Sequence, residues 1–316
     1  MNIFDDLSLL YTIAKYYYLE DYSQSDIAKI LNISRPQISR LLKRARELEI
    51  VKIEISMPNN LQDENKSEKI KKYLGLKDVL IVENSNDNKL LYVKSSEYLS
   101  ALIEKSKKIG IGWNETLYNI SIELKYNDSD KQKVFYPLIG NLGNNNNPYL
   151  QITTIVDRFA EKFNSKAYFN NYPALIEKKS LNNNDLEKLE EFKKFWSDLD
   201  VAIVGLSSRR ESYQSYISDI PKVDKLNVDE IEGIILGSFF MNNGETFNYP
   251  DKYYINSIML SELKKIKDIV CIVSGVKKID IIKFAAMKKY FNILITDEST
   301  ADSVISNFNL LYTENF

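Results

Sequence analysis

The sequence has no histidine and a single cysteine. Without histidine there is no His-based triad, no His general base and no His-ligated zinc. One cysteine, Cys271, excludes an intrachain disulfide, and its setting in "IVCIVS" marks it as a buried structural thiol. No apolar run is long enough to span a bilayer. The start carries Asp5 and Asp6 rather than a basic segment leading into an apolar one, so no signal peptide is expected and a cytoplasmic protein is the default. A large excess of either charge is also missing: 42 cations against 44 acids give a net charge of −2. Any polyanion site must therefore be local. With 316 residues the chain suits two domains better than one.

Positive charge is concentrated at Ser34–Arg46, "SRPQISRLLKRAR", with five cations and no acid. Upstream, residues 7–19 place Leu10, Ile13, Ala14, Tyr17 and Tyr18 at helical spacing. "YSQSDIAKIL" then predicts a short helix, started by Ser23 or Gln24 and burying Ile27, Ala28, Ile30 and Leu31. Asn32 breaks it. Ser34 is a good N-cap for a third helix, and Pro36 sits in its first turn, where a missing N–H costs nothing. Ile38, Leu41, Leu42, Ala45 and Leu48 form one apolar stripe, and "IVKIEIS" after it alternates as a strand should. Two short helices joined by a tight turn, the second basic, predict a helix-turn-helix. The outer face would present Ser34, Arg35, Gln37, Ser39, Arg40, Lys43 and Arg44 to DNA. Gln and Arg near the helix start suit base edges; later cations suit phosphates. The bland alternative is a solvated cationic face. Over residues 1–56 eight cations balance eight acids, so one module should bind weakly and a multimer is expected.

We place the DNA-binding domain at residues 1–56 and a second domain at 57–316, beginning with a linker, "MPNNLQ". A polar helix should follow, ending at Gly75 as its C-cap. Apolar runs at 78–82, 108–113, 134–139, 201–206, 269–274 and 292–296 read as strands covered on both faces. Between them, residues 148–163 should bury Ile152, Ile155, Val156, Phe159 and Phe163. Residues 185–199 should bury Leu186, Leu189, Phe192, Phe195, Trp196 and Leu199. Strand–helix alternation predicts a doubly wound, mostly parallel α/β domain. Ligands of such sheets sit beyond the strand carboxyl ends. Three segments qualify. In "IGIGWNETL" a strand runs into Gly110, Gly112 and Trp113, and a helix starts near Asn114. There the Thr116 hydroxyl and the first amides suit an anion, although Glu115 opposes a phosphate. In "SGVKKIDII", Lys277 and Lys278 open a helix. In "LITDESTA", Asp297 either accepts from a sugar hydroxyl or caps the next helix. Neither a metal nor a cofactor is expected.

The segments "YSQSDIAKILNISRPQISRLLKRARELEIVKIEI", "GIGWNETL", "YPLIGNLG", "DVAIVGLSS" and "SGVKKIDIIKFAAMKKYFNILITDESTA" give the chain its resemblance to the SorC/DeoR-type sugar-binding transcriptional regulators over nearly its whole length. The resemblance implies an N-terminal helix-turn-helix and a C-terminal domain similar to sugar-phosphate isomerases and deaminases. It also implies a sugar or phosphosugar effector that changes affinity for operator DNA, and homodimers or homotetramers. By position, Gly110 to Leu117 would be the phosphate loop, with Thr116 donating its hydroxyl, and Lys278 and Asp297 would match the lysine and aspartate of the later motifs. Four positions depart from the pattern: Asn114 and Asn141 replace glycines, Ser274 replaces the first of a glycine pair, and Ile234 replaces an aspartate. Three readings follow: an effector-controlled regulator, a constitutive DNA binder with a degenerate effector site, and, least favoured without histidine, a sugar-phosphate isomerase-like enzyme.

Overall fold

The computed structural model describes residues 6–48, 50–51, 63–128, 132–141, 148–208, 228–243 and 245–313. The chain divides into two compact units, Met1–Asn59 and Asn60–Phe316.

In the first unit, α1 (Leu7–Tyr18), α2 (Gln24–Leu31) and α3 (Arg35–Glu47) each start where the sequence supplies a cap. The Asp6 carboxylate accepts from the amides of Ser8 and Leu9, both at 3.1 Å, and the Ser23 hydroxyl accepts from Asp26 N–H at 3.2 Å. Asn32 closes α2 with φ +53°, in the left-handed region that asparagine tolerates. Leu10, Ile13 and Ala14 of α1, Ile27 of α2 and Ile38, Leu41, Leu42 and Ala45 of α3 form one core. Two expected core residues lie outside it: Ile30 is 52% and Leu48 38% exposed. Two other short helices cannot cover the full width of either apolar face. The strand expected over 50–56 and the linker at 57–62 fall almost entirely outside the described residues.

The second unit begins with α4 (Asp63–Leu74), ended by Gly75 at φ +65°. Its other elements are β1 (Asp78–Val82), α5 (Lys89–Glu104), β2 (Lys108–Ile111), α6 (Glu115–Glu123), β3 (Val134–Pro137), α7 (Ile152–Lys162), β4 (Lys166–Ala167), β5 (Leu175–Glu177) and α8 (Asn183–Trp196). Then come β6 (Val201–Gly205), β7 (Ser207–Ser208), β8 (Ile231–Ile235), β9 (Ser238–Met241), β10 (Tyr253–Ile255), α9 (Leu260–Leu263), β11 (Asp268–Ile272), α10 (Ile279–Met287), β12 (Ile293–Asp297) and α11 (Glu298–Thr313). Seven strands form one parallel sheet in the order β1-β12-β11-β6-β2-β3-β4. The middle positions of its central strands are apolar because each face has its own core. Ala202, Val204, Ile269, Cys271 and Leu294 point into one. Val201, Ile203, Val270, Ile272, Ile293 and Ile295 point into the other. Cys271 is fully buried in the first, and loss of solvent pushes its thiol well above the usual range.

Two small antiparallel sheets, β7-β8-β9 and β5-β10, complete the unit. The second is pinned by two buried asparagines. Asn170 and Asn256 exchange amide hydrogen bonds at 2.8 and 3.0 Å, and Asn256 also donates to the carbonyls of Tyr172 and Pro173. Gly140 faces this latch, where a Cβ would lie 2.3 Å from Asn256 Nδ2. Helix α8 departs from expectation at one position, since Leu186 is 39% exposed. It starts at a box in which Asn182 and Asp185 cap each other's backbone amides.

Candidate functional site

The buried stripe of α3 fixes what its other side shows. At 3.6 residues per turn, Arg40, Lys43 and Glu47 lie opposite Ile38, Leu41, Leu42 and Ala45. Arg35 and Arg46 flank that line on one side, Gln37 and Arg44 on the other. Ser34, Arg35, Gln37, Ser39, Arg40 and Lys43 are exposed and Arg44 is half-buried, so all seven sequence-derived DNA candidates reach the surface of one helix. Their states differ. Arg35 and Arg40 have no ion-pair partner among the described residues. Arg44 stands 3.4 Å and Lys43 4.0 Å from the Glu47 carboxylate. Gln37 Oε1 accepts from the Ser34 amide at 3.2 Å and hydroxyl at 2.8 Å, leaving its NH2 as the outward donor. Glu47 was not singled out from sequence; its helical spacing to Lys43 and Arg44 is the signal that marks it.

The candidate ligand residues of the second unit lie at the carboxyl ends of the parallel strands. Strand order reverses between β2 and β6: the chain runs outward from β2 to β4, then returns to β6 and proceeds the other way. A crevice at that reversal is where such sheets bind ligands. Gly112 N–H donates to Ile203 O at 2.7 Å, holding the two strand ends together. Asn114 caps α6, its Oδ1 accepting from Leu117 N–H at 2.7 Å. Its amide lies in the space that Gly205 leaves, where a Cβ would be 1.7 Å from Nδ2. Glu115 is exposed, and the half-buried Thr116 hydroxyl has no partner among the described residues. Trp113 Nε1 donates to the Leu150 carbonyl. Gly110 and Leu117 face inward: Leu117 is fully buried, and a Cβ on Gly110 would meet Leu138 at 2.5 Å and Leu199 at 2.8 Å.

Asp297 and Lys278 form a second group. Asp297 is 7% exposed and caps α11, accepting from Thr300 N–H at 2.8 Å and from the hydroxyls of Ser299 and Thr300 at 2.5 and 3.0 Å. Thr300 Oγ1 also accepts from Gly275 N–H at 2.7 Å, tying the ends of β11 and β12 together. Gly275 has φ +117°, a conformation that a side chain would strain. Half-buried Lys278 opens α10 just beyond. Between β2 and β12 lie β6 and β11, so the ends of those two strands sit about 14 Å apart along the sheet edge at the usual strand spacing. Ile234 is 2% exposed, pairs with Ser207 and packs in the Ile203 core. Gly205 and Thr300 were not anticipated as part of this edge; a glycine ending "VAIVG" and the threonine of "DEST" were the available signals.

Among the described residues no group of potential ligands could hold a metal ion, and no helix is long and apolar enough to cross a membrane. The family model described as "Putative sugar-binding domain" matches residues 59–306, and that of sigma-70 region 4 matches residues 12–47. The chain is 28% identical to the sorbitol operon regulator of Klebsiella pneumoniae over 95% of its length and 98% of the relative's. It is 25% identical to the deoxyribonucleoside regulator of Bacillus subtilis, over 93% and 96%. In fold it resembles the crystal structure of full-length SorC from Klebsiella pneumoniae, with a TM-score of 0.77, 24% identity and coverage of 95% of this chain and 99% of that one. These relatives are regulators rather than enzymes. The chain belongs to the SorC/DeoR-type family of sugar-binding transcriptional regulators.

Proposed function

We propose that residues 1–56 bind operator DNA through α3 and that residues 57–316 bind a sugar or phosphosugar effector and assemble the chain into a homodimer or homotetramer in the cytoplasm. One observation carries the DNA reading. The capped basic helix buries one stripe in a three-helix core and exposes Arg35, Gln37, Arg40 and Lys43, in a chain whose other unit matches a sugar-binding domain. The relatives' names, a sorbitol operon regulator and a deoxyribonucleoside regulator, support control by a carbohydrate-linked metabolite. Within α3, Arg35 and Gln37 read bases while Lys43 and Arg44 hold phosphates. The effector acts by binding two arrangements of the modules unequally. It contacts the strand-end edge through Trp113–Thr116, Lys278 and Asp297. A gel shift on the promoter beside the gene, with and without sugars and sugar phosphates, tests both halves. No retarded complex at low salt would refute the DNA reading.

A second reading rests on Ile234 and Asn114. An isoleucine packed in an apolar core offers no acceptor to a sugar, and the Asn114 amide already fills the gap above Gly205. On this reading the second unit only assembles the chain and DNA binding is constitutive. Thermal unfolding against a sugar and sugar-phosphate panel separates the two, because a ligand at a hundred times its Kd stabilises by about 2.7 kcal/mol. No shift with any compound favours the constitutive binder.

A further inference from the structure

A cleft of about 900 Å³ opens elsewhere on the second unit, within the size range of small-molecule sites. Among its lining residues are Trp196, Lys264 and Tyr290, which lie a few residues before β6, β11 and β12 respectively. Others, Ser257 and Ile258, bond the Leu138 carbonyl just beyond β3, and none of Asn114, Thr116, Lys278 and Asp297 of the strand-end edge lines the cleft.

Two side chains in this cleft keep a donor open to solvent. Tyr253 and Tyr290 are 6% and 7% exposed, and both line it. Their rings are enclosed, but neither hydroxyl bonds another described residue and neither oxygen is among the fully buried unpartnered atoms. Their neighbours are satisfied: Tyr249 donates to Gly237 O at 2.9 Å and Trp196 Nε1 to Pro137 O at 2.8 Å. Loss of solvent raises the Tyr290 phenol above its ordinary value, so it is a neutral donor at neutral pH. The surrounding charge leans positive. Lys264 sits 4.7 Å above the Tyr290 ring with no carboxylate partner among the described residues, and Lys178 also lacks one. Lys193 and Glu262 are neutralised by Glu190 at 2.6 Å and Lys265 at 2.8 Å, which leaves Asp251 as the one opposing unpaired acid in the lining.

We infer that this cleft is a second small-molecule site, separate from the strand-end edge, and that it takes a hydroxylated organic anion. The two phenols bond its hydroxyls, the lysines attract its charge, and the aromatic walls pack on its carbon skeleton.

The chain's two tryptophans make the test direct, because Trp113 stands at the strand-end edge and Trp196 in the cleft. Full-length Trp113→Phe protein is titrated with gluconate, galacturonate, glucose 6-phosphate and neutral glucose while Trp196 emission is followed. At least one anion should change the emission saturably, and neutral glucose at the same concentration should not. Tyr253→Phe and Tyr290→Phe, which keep the rings, should each weaken that response about three- to tenfold. Unchanged thermal unfolding of the variants shows that packing is intact. The inference is overturned if no anion moves Trp196, if the double phenylalanine variant binds as well as its parent, or if an anion that moves Trp113 in a Trp196→Phe variant leaves Trp196 unmoved in the Trp113→Phe protein. The last outcome would leave effector binding at the strand ends untouched.

Discussion

Replacing Glu47 by glutamine should tighten DNA binding, although it removes the partner of two candidate phosphate-holding residues. The Glu47 carboxylate is at the end of α3, 3.4 Å from Arg44 and 4.0 Å from Lys43. Before either cation can engage a phosphate it must leave that carboxylate. Exposed pairs of this kind contribute about 0.2–1 kcal/mol, and the long distances here place these at the lower end. Glu47 also faces DNA on the same line as Arg40 and Lys43. A carboxylate about 10 Å from a phosphate costs ~0.4 kcal/mol in water before screening. Salt near 0.1 M reduces this severalfold, and two or three nearby phosphates restore a total of about 0.4 kcal/mol. Together the effects predict about 0.5–1 kcal/mol per module, or roughly two- to fivefold tighter binding. Stability should barely move, because the lost ion pairs are offset by removing an acid from a helix C-terminus. Fluorescence anisotropy with operator and unrelated duplexes, over a salt series, is the assay. Glu47→Gln should tighten both and steepen the salt dependence by up to about 0.9 for each phosphate newly engaged. Unchanged or weaker binding with unchanged unfolding temperature would show that α3 does not meet DNA with this face.

Leu41→Ala should cost the N-terminal unit about 2–5 kcal/mol, because Leu41 is fully buried in a core of few side chains; denaturant unfolding should show an early transition with the second unit still folded. Asn256→Ala should cost about 1–3 kcal/mol through the stranded Asn170 amide, read by thermal unfolding, whereas replacing both asparagines should cost less than the two single changes summed. Asp185, held below its ordinary value by the Asn182 amide and by Tyr172, stabilises α8 fully above the usual carboxylate pKa, and that contribution fades as pH falls through the lowered value. Circular dichroism of Asp185→Asn against the parent should therefore converge in acid and diverge at neutral pH. In the operator assay, Arg35→Ala and Gln37→Ala should reduce sequence preference, while Lys43→Ala and Arg44→Ala weaken all DNA alike and flatten the salt slope by about one unit; equal behaviour of the two pairs would refute their division.

Helices α1 to α3 were legible because capping residues and apolar spacing agree at each of them. The core parallel strands were legible because burial on both faces leaves uninterrupted apolar runs. Ile30, Leu48 and Leu186 misled for one reason: spacing reveals an apolar face but not the width of its cover. The antiparallel strands β5, β7 and β10 are two or three residues long, too short for a period to show. At the strand-end edge, sequence indicated the segments but not their adjacency. That Asn114 lies over Gly205, and that Thr300 joins Asp297 to Gly275, follows from β6 lying beside β2 and β11 beside β12. The cleft drew on segments scattered from Lys178 to Tyr290, with no motif to unite them.

Asn114 and Gly205 share one volume between two strands that are far apart in sequence. Neither residue is therefore free to vary alone. A methyl at 205 evicts the asparagine amide, and with it the cap on α6, whereas glycine at 114 makes room for alanine or serine at 205. Across homologues the two positions should trade size, larger at one with smaller at the other. Gly205→Ala should be harmful here and should be relieved by Asn114→Gly. The departure at 114 thus fills a space that Gly205 leaves, and a change at one strand end becomes a constraint on the other.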